Sequence, residues 1–108
     1  MSNRCLLLGS TGYVGSRVER ALVAHGVQVF RLVRSNKRRR LDYGVFFTDS
    51  RGEFELDTLV AFMKSHSIDC VVHTANRFDP SPTARVAEEM LYANTLMPGK
   101  VLRAAIEA

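Results

Sequence analysis

The seven residues Gly9-Ser10-Thr11-Gly12-Tyr13-Val14-Gly15 constrain this chain more than any other stretch. They follow a continuous apolar run, Cys5-Leu6-Leu7-Leu8, which reads as a strand buried on both faces. They precede a stretch in which Val14, Val18, Ala21 and Leu22 fall at helical spacing, with Arg17, Glu19 and Arg20 on the outer face. A glycine turn in that context has few uses. Gly9 lets the chain turn sharply off the strand. Gly12 removes a side chain where an anion would approach the backbone. Gly15 lets the helix pack close to the sheet. The free N–H groups and the positive end of the helix dipole, at Tyr13 and Val14, then face a phosphate. Ser10 and Thr11 can add hydroxyl donors. The plainer alternative is a tight strand–helix joint with no ligand. A nucleoside-triphosphatase phosphate loop is excluded, because no Gly-Lys-Ser/Thr follows.

The rest of the chain repeats the alternation. Gly26 closes the first helix as a C-cap. Val27 to Val33 reads as a second strand, Val45-Phe46-Phe47 as a short third, and Ile68 to His73 as a fourth. Glu55 to His66 carries Leu56, Leu59, Val60 and Met63 at helical spacing. After the turn residues Asp79-Pro80-Ser81-Pro82, a last helix is expected from about Thr83 to the end. Its apolar face includes Val86, Met90, Ala93, Met97, Val101 and Ala105. Pro98 removes one hydrogen bond from that helix and should kink it. Strands alternating with helices imply an α/β, Rossmann-like three-layer αβα fold with a parallel sheet of about four strands. Right-handed crossovers give the order 3-2-1-4, with the end of strand one at the switch point where such sheets bind ligands.

The 108 residues suffice for one domain, and 46% of them are apolar, enough for a core. The net charge of +4 suits an anionic ligand, and equally nucleic acid or an acidic surface. Cys5 and Cys70 each sit in an apolar run and read as two buried, reduced thiols. No Cys/His cluster supports a metal site. The first apolar run is too short for a signal peptide, and nothing reaches transmembrane length, so the expected location is the cytoplasm.

The glycine spacing is GxxGxxG, and it resembles the extended branch of the short-chain dehydrogenase/reductase family, the NAD(P)-dependent epimerases, dehydratases and reductases that act on nucleotide-sugars. Asp69-Cys70-Val71-Val72-His73-Thr74-Ala75-Asn76 looks like that branch's fourth strand and its "DVVIHLAA" end. Tyr92-Ala93-Asn94, followed by Leu96, Val101, Leu102 and Ala105, looks like its "N-V-x-G-T-x-N-L-L-E-A" helix. The resemblance spans nearly the whole chain. It departs at Leu8, where the family often has Thr, and at Met97-Pro98, where Gly-Thr is common.

Cofactor choice is read at the end of strand two. NAD-binding versions place an acid about 20 residues beyond the glycine motif, on the ribose 2′-hydroxyl. Val33-Arg34-Ser35 stands there without an acid, and Arg34 can make a charge-assisted bond to a 2′-phosphate, with Lys37 and Arg38 in support. NADP is therefore expected, with NAD as the alternative. The run from Lys37 to Arg40 can equally be a solvated basic loop. The resemblance puts Asp49, with Ser50 beside it, against the adenine amino group, although a polar turn residue fits as well. It puts Ala75 and Asn76 where backbone passes the cofactor's ribose, and Asn94 where it helps organise the active site. Each of these has an equally plain structural reading. His73 reads as a strand-end histidine rather than a catalyst.

The family's chemistry needs Tyr-x-x-x-Lys and an upstream Ser or Thr. Tyr13 is followed four residues later by Arg17, Tyr43 by Phe47 and Tyr92 by Leu96, so the chain carries no catalytic set. It is expected to be the N-terminal, cofactor-binding portion of a longer enzyme that transfers a hydride between NADP and a nucleotide-sugar carbon, and to turn over nothing alone. The alternative is a non-catalytic NAD(P)-sensing regulatory or interaction module. A nucleic-acid-binding domain has only the basic run behind it. Strand four would be an open edge, so association of the chain with itself is expected.

Overall fold

The computed structural model describes residues 3–34, 44–49, 51–74 and 83–108, with backbone alone at 86, 89, 90, 93 and 95. Four parallel strands form one sheet in the order β3-β2-β1-β4. They are β1 (Arg4–Leu8), β2 (Gln28–Arg34), β3 (Val45–Thr48) and β4 (Cys70–His73), with helix α1 (Tyr13–Ala24) between β1 and β2 and helix α2 (Leu56–Ser65) between β3 and β4. The order matches the expectation from right-handed crossovers. β1 lies at the centre with Cys5 to Leu8 all buried, which is why its sequence is continuously apolar. The register pairs Leu8 with Leu32 on one side and with His73 on the other, and pairs Arg34 with Thr48. All four C-terminal ends therefore share one edge of the sheet.

Alternation along β1 divides the core. Leu6 and Leu8 join Phe30 and Leu32 of β2, Leu59 and Met63 of α2, and residues of the C-terminal helix in one cluster. Cys5 and Leu7, also buried, point to the other face, where α1 packs on β1 and β2. Edge-on contacts among Phe30, Phe46, Phe54 and Phe62 extend the cluster toward β3.

Both internal helices end in the same six-residue motif, but with different residues. At α1, Gly26 (φ 79°) donates its N–H to Val23 O and Val27 donates to Leu22 O. At α2 the corresponding bonds run from Ser67 to Lys64 O and from Ile68 to Met63 O, with Ser67 itself at φ 53°. A serine thus occupies a left-handed position that favours glycine.

The expected last helix is one helical run with a change of winding. Helix α3 (Ala84–Leu91) passes into a π turn over Tyr92–Leu96, and helix α4 (Met97–Glu107) follows. Met97 donates to Tyr92 O, five residues back. Pro98 cannot donate to Asn94 O, and its ring would crowd that carbonyl in a regular helix. The wide turn ahead of it relieves both problems. Met97 and Val101 are buried as expected, but Ala104 is fully buried while Ala105 is only half-buried. The side chains of Val86, Met90 and Ala93 lie outside the description. No helix among the described residues is long and apolar enough to cross a membrane.

Candidate functional site

The glycine turn stands at the C-terminal end of β1, at the centre of the edge shared by all four strands. Gly9 has φ 88°, a conformation that only glycine adopts without strain, and it accepts a hydrogen bond from Gly12 N–H at 3.1 Å. Gly12 is the N-cap of α1 in extended conformation, and no side chain among the described residues caps the helix. Ser16 N–H closes the first helical turn onto Gly12 O at 2.9 Å. The N–H groups of Tyr13, Val14 and Gly15 precede that bond and have no place in the intrahelical ladder. A positive dipole end with three such donors, and no acid in its first turn, is an anion-receiving corner.

The two later glycines differ in what surrounds them. A Cβ on Gly15 would lie 1.7 Å from Gly9 O and 2.7 Å from Thr74 Oγ1. Helix and strand are therefore in backbone contact at Gly15. A Cβ on Gly12 would meet only Gly9 O within 4 Å among the described residues, at an ordinary 3.5 Å, so the outer side of the turn is open. Ser10 is buried, and its hydroxyl has no hydrogen-bond partner among the described residues. A buried, orphaned hydroxyl in an open glycine cradle fits a group that brings its own acceptors, as a pyrophosphate does. Thr11, Tyr13 and Val14 are exposed on the rim. The Arg17 guanidinium lies 3.5 Å over the Tyr13 ring and donates to Tyr13 O, adding a cation at the helix start that the sequence pattern assigned to the outer face.

Thr74, which motif reasoning passed over, buttresses the turn. Its N–H and its Oγ1 both donate to Leu8 O, at 2.9 and 2.7 Å. The only sequence signal for it is a hydroxyl residue directly after an apolar strand.

Arg34 ends β2 and is exposed, with its methylenes within 4.0 Å of the position a Cβ on Gly52 would take. β2 carries no acidic residue. Asp49 follows β3 on the same sheet edge. Its Oδ1 accepts the N–H groups of Arg51 and Glu53 at 2.8 and 2.9 Å, and its own N–H donates to Glu53 O. Those bonds, the one from Glu53 first, hold its carboxyl below the usual carboxylate range. Asp49 thus clasps the 49–53 loop through Oδ1, in keeping with the polar-turn reading. Tyr92 of the π turn donates to Gly52 O at 2.9 Å. Burial pushes its phenol up, opposite to what an acid/base tyrosine needs. Between these groups, Phe54, Lys100 and Glu55 complete an open cleft of about 410 Å³. Asn94 is exposed on the same π turn.

Ser50, Ala75 and Asn76, together with Lys37 and Arg38, lie outside the described residues. His73 is exposed at the sheet edge beside Pro98 and Leu102, on a small apolar cleft. One expectation is corrected. Cys5 is buried, but Cys70 is exposed, because β4 pairs only with β1 among the described strands and its outer side is open. No group of three or more His, Cys, Asp and Glu among the described residues could hold a metal ion.

Known structures share the architecture. The UDP-glucose 4-epimerase of Thermus thermophilus, solved with NAD, is 23% identical with a TM-score of 0.68 over 94% of this chain and 33% of that one. The UDP-glucose 4-epimerase of Thermotoga maritima, solved with UDP-glucose, is 17% identical with a TM-score of 0.69 over 96% of this chain and 34% of that one. Actinorhodin polyketide ketoreductase, solved with NADPH, is 16% identical with a TM-score of 0.73, covering 97% of this chain and 46% of that one. The chain thus spans about a third of the length of the epimerases it is similar to. No curated protein sequence matches it. Residues 5–108 match the model of one family along their whole length, and the chain belongs to the NAD dependent epimerase/dehydratase family.

Proposed function

We propose that the chain binds a dinucleotide, NADP in preference to NAD, as the cofactor-holding part of a nucleotide-sugar epimerase, dehydratase or reductase. The glycine turn carries this reading. The N–H groups of Tyr13, Val14 and Gly15 receive the pyrophosphate, with Ser10 and Thr11 supplying hydroxyls and Gly12 leaving the approach open. Arg34 meets the ribose 2′-phosphate, where an NAD site would carry an acid. Asp49, with Ser50, borders the adenine, and Ala75 and Asn76 follow strand four where backbone would pass the cofactor's ribose. Asn94 stands on a π turn, a winding often found at functional sites. The dinucleotide, when bound, supplies hydride transfer, and the chain's residues hold and orient it. Nucleotide-sugars enter as the substrate class because two of the similar enzymes carry UDP-glucose in their names.

Calorimetric titration with NADPH and NADH tests the proposal. NADPH is expected to bind more tightly. Arg34→Leu should weaken NADPH by about 2 kcal/mol, or some thirtyfold, and leave NADH nearly unchanged. Tighter binding of NADH to the wild type would remove Arg34 from the site. Absence of binding by either would remove the dinucleotide.

A further inference from the structure

At the opposite end of β1 from the glycine turn, two thiols meet. Cys5 and Cys70 are register partners on adjacent parallel strands, and their sulfurs are 3.3 Å apart. Neighbouring strands lie about 4.7–4.9 Å apart, within the Cα separation that a disulfide spans. The strand starts are held in this register by Arg4. Its N–H donates to the Asp69 carboxylate, its carbonyl accepts Asp69 N–H at 2.9 Å, and its guanidinium donates to His66 O. The two residues differ in access. Cys5 is 1% exposed, whereas Cys70, on the outermost of the described strands, is an exposed residue.

We propose that Cys5 and Cys70 are a dithiol that closes reversibly to a disulfide by exchange with a low-molecular-weight disulfide such as oxidised glutathione, Cys70 attacking and Cys5 resolving. In the first step the Cys70 thiolate attacks one glutathione sulfur. The reagent's S–S bond breaks, glutathione thiolate leaves, and a mixed disulfide forms on Cys70. In the second step Cys5 gives its proton to water and attacks the Cys70 sulfur. The second glutathione leaves as the Cys5–Cys70 bond forms. Two protein thiols are oxidised by two electrons, and one glutathione disulfide is reduced to two thiols. The exposure of Cys70 and the burial of Cys5 assign the first attack to Cys70; burial, with the neighbouring Cys70 thiol adding to it, also pushes the Cys5 thiol up to about 12. The pair lies about 13 Å from Gly9, four strand residues away, so it is separate from the cofactor corner.

The test is incubation of the native chain with oxidised glutathione, followed by denaturing alkylation, proteolysis and mass spectrometry. The wild type is expected to lose both alkylatable thiols and two hydrogens, retain no glutathione, and yield a Cys5–Cys70 cross-linked peptide. Cys5→Ala should trap glutathione on Cys70, and Cys70→Ala should stay unmodified. Stable glutathione on wild-type Cys70 with Cys5 still alkylatable would overturn the proposal. So would disulfide-linked dimers, or an inert Cys70. The wild-type peptide map decides even where a variant fails to fold.

Discussion

Gly15→Ala and Gly12→Ala separate the two jobs of the glycine turn. In Gly15→Ala the new methyl starts 1.7 Å from Gly9 O, so helix and strand must part by more than about 1.3 Å to reach the closest approach real Cβ atoms tolerate. The carbonyl that moves is the acceptor for Gly12 N–H, a bond worth about 1 kcal/mol. Overpacking adds about 1–3 kcal/mol. Alanine's better helix propensity returns about 1 kcal/mol. The net loss is about 1–3 kcal/mol, or roughly 5–20 °C in Tm for a domain of this size. In Gly12→Ala the methyl makes ordinary contact, and φ −80°, ψ 173° suits any residue. The weaker N-cap costs about 1 kcal/mol at most. That methyl, however, stands on the open side, and NADPH affinity should fall at least tenfold, about 1.4 kcal/mol. Urea unfolding followed by far-ultraviolet circular dichroism measures the first effect, and calorimetry the second. A Gly15→Ala protein as stable as the wild type, or a Gly12→Ala protein that binds NADPH undiminished, would refute the division.

Ser67→Gly should stabilise the chain by about 0.5–1 kcal/mol by relieving the left-handed serine after α2, read as a Tm several degrees higher. Asp49→Ala should destabilise the 49–53 loop in a pH-dependent way. The folded-state pKa of Asp49 lies below its unfolded value, so its contribution is complete above the ordinary carboxylate pKa of about 3.9 and disappears as pH falls through the folded value. The stability gap between wild type and variant should therefore narrow on acidification below about pH 4, as followed by thermal melts across pH. The β4 edge, open among the described residues, with Leu102 exposed on α4 beside it, should make the isolated chain associate with itself, and light scattering from a clean monomer at high concentration would contradict this.

Sequence reasoning reached the parts of the molecule governed by periodicity. The continuous apolar β1, the amphipathic α1 and α2, and the crossover rule together fix the sheet order, because each involves either burial on both faces or one regular stripe. It reached Gly9 and Gly15 because a positive φ and a backbone contact admit no other residue. It did not reach features set by tertiary neighbours. Ser67 terminates α2 where glycine terminates α1, and nothing in its residue type signals a left-handed backbone. The kink attributed to Pro98 is a π turn that begins six residues earlier, at Tyr92, since the ladder rewinds upstream of the missing donor. Cys70 shares an apolar run with Val71 and Val72, yet it is exposed while they are half-buried, a difference that residue type does not signal. Thr74 carries no motif of its own, and its role exists only because β4 lies beside β1.

The double grip of Thr74 on Leu8 O, with Gly15 seated against Gly9 O, leaves three elements touching at one point without slack. A junction that cannot be compressed needs no ligand to shape it. The pyrophosphate proposed for this corner would meet amides already aligned by strand and helix packing, and its affinity would not be reduced by the entropy of ordering them.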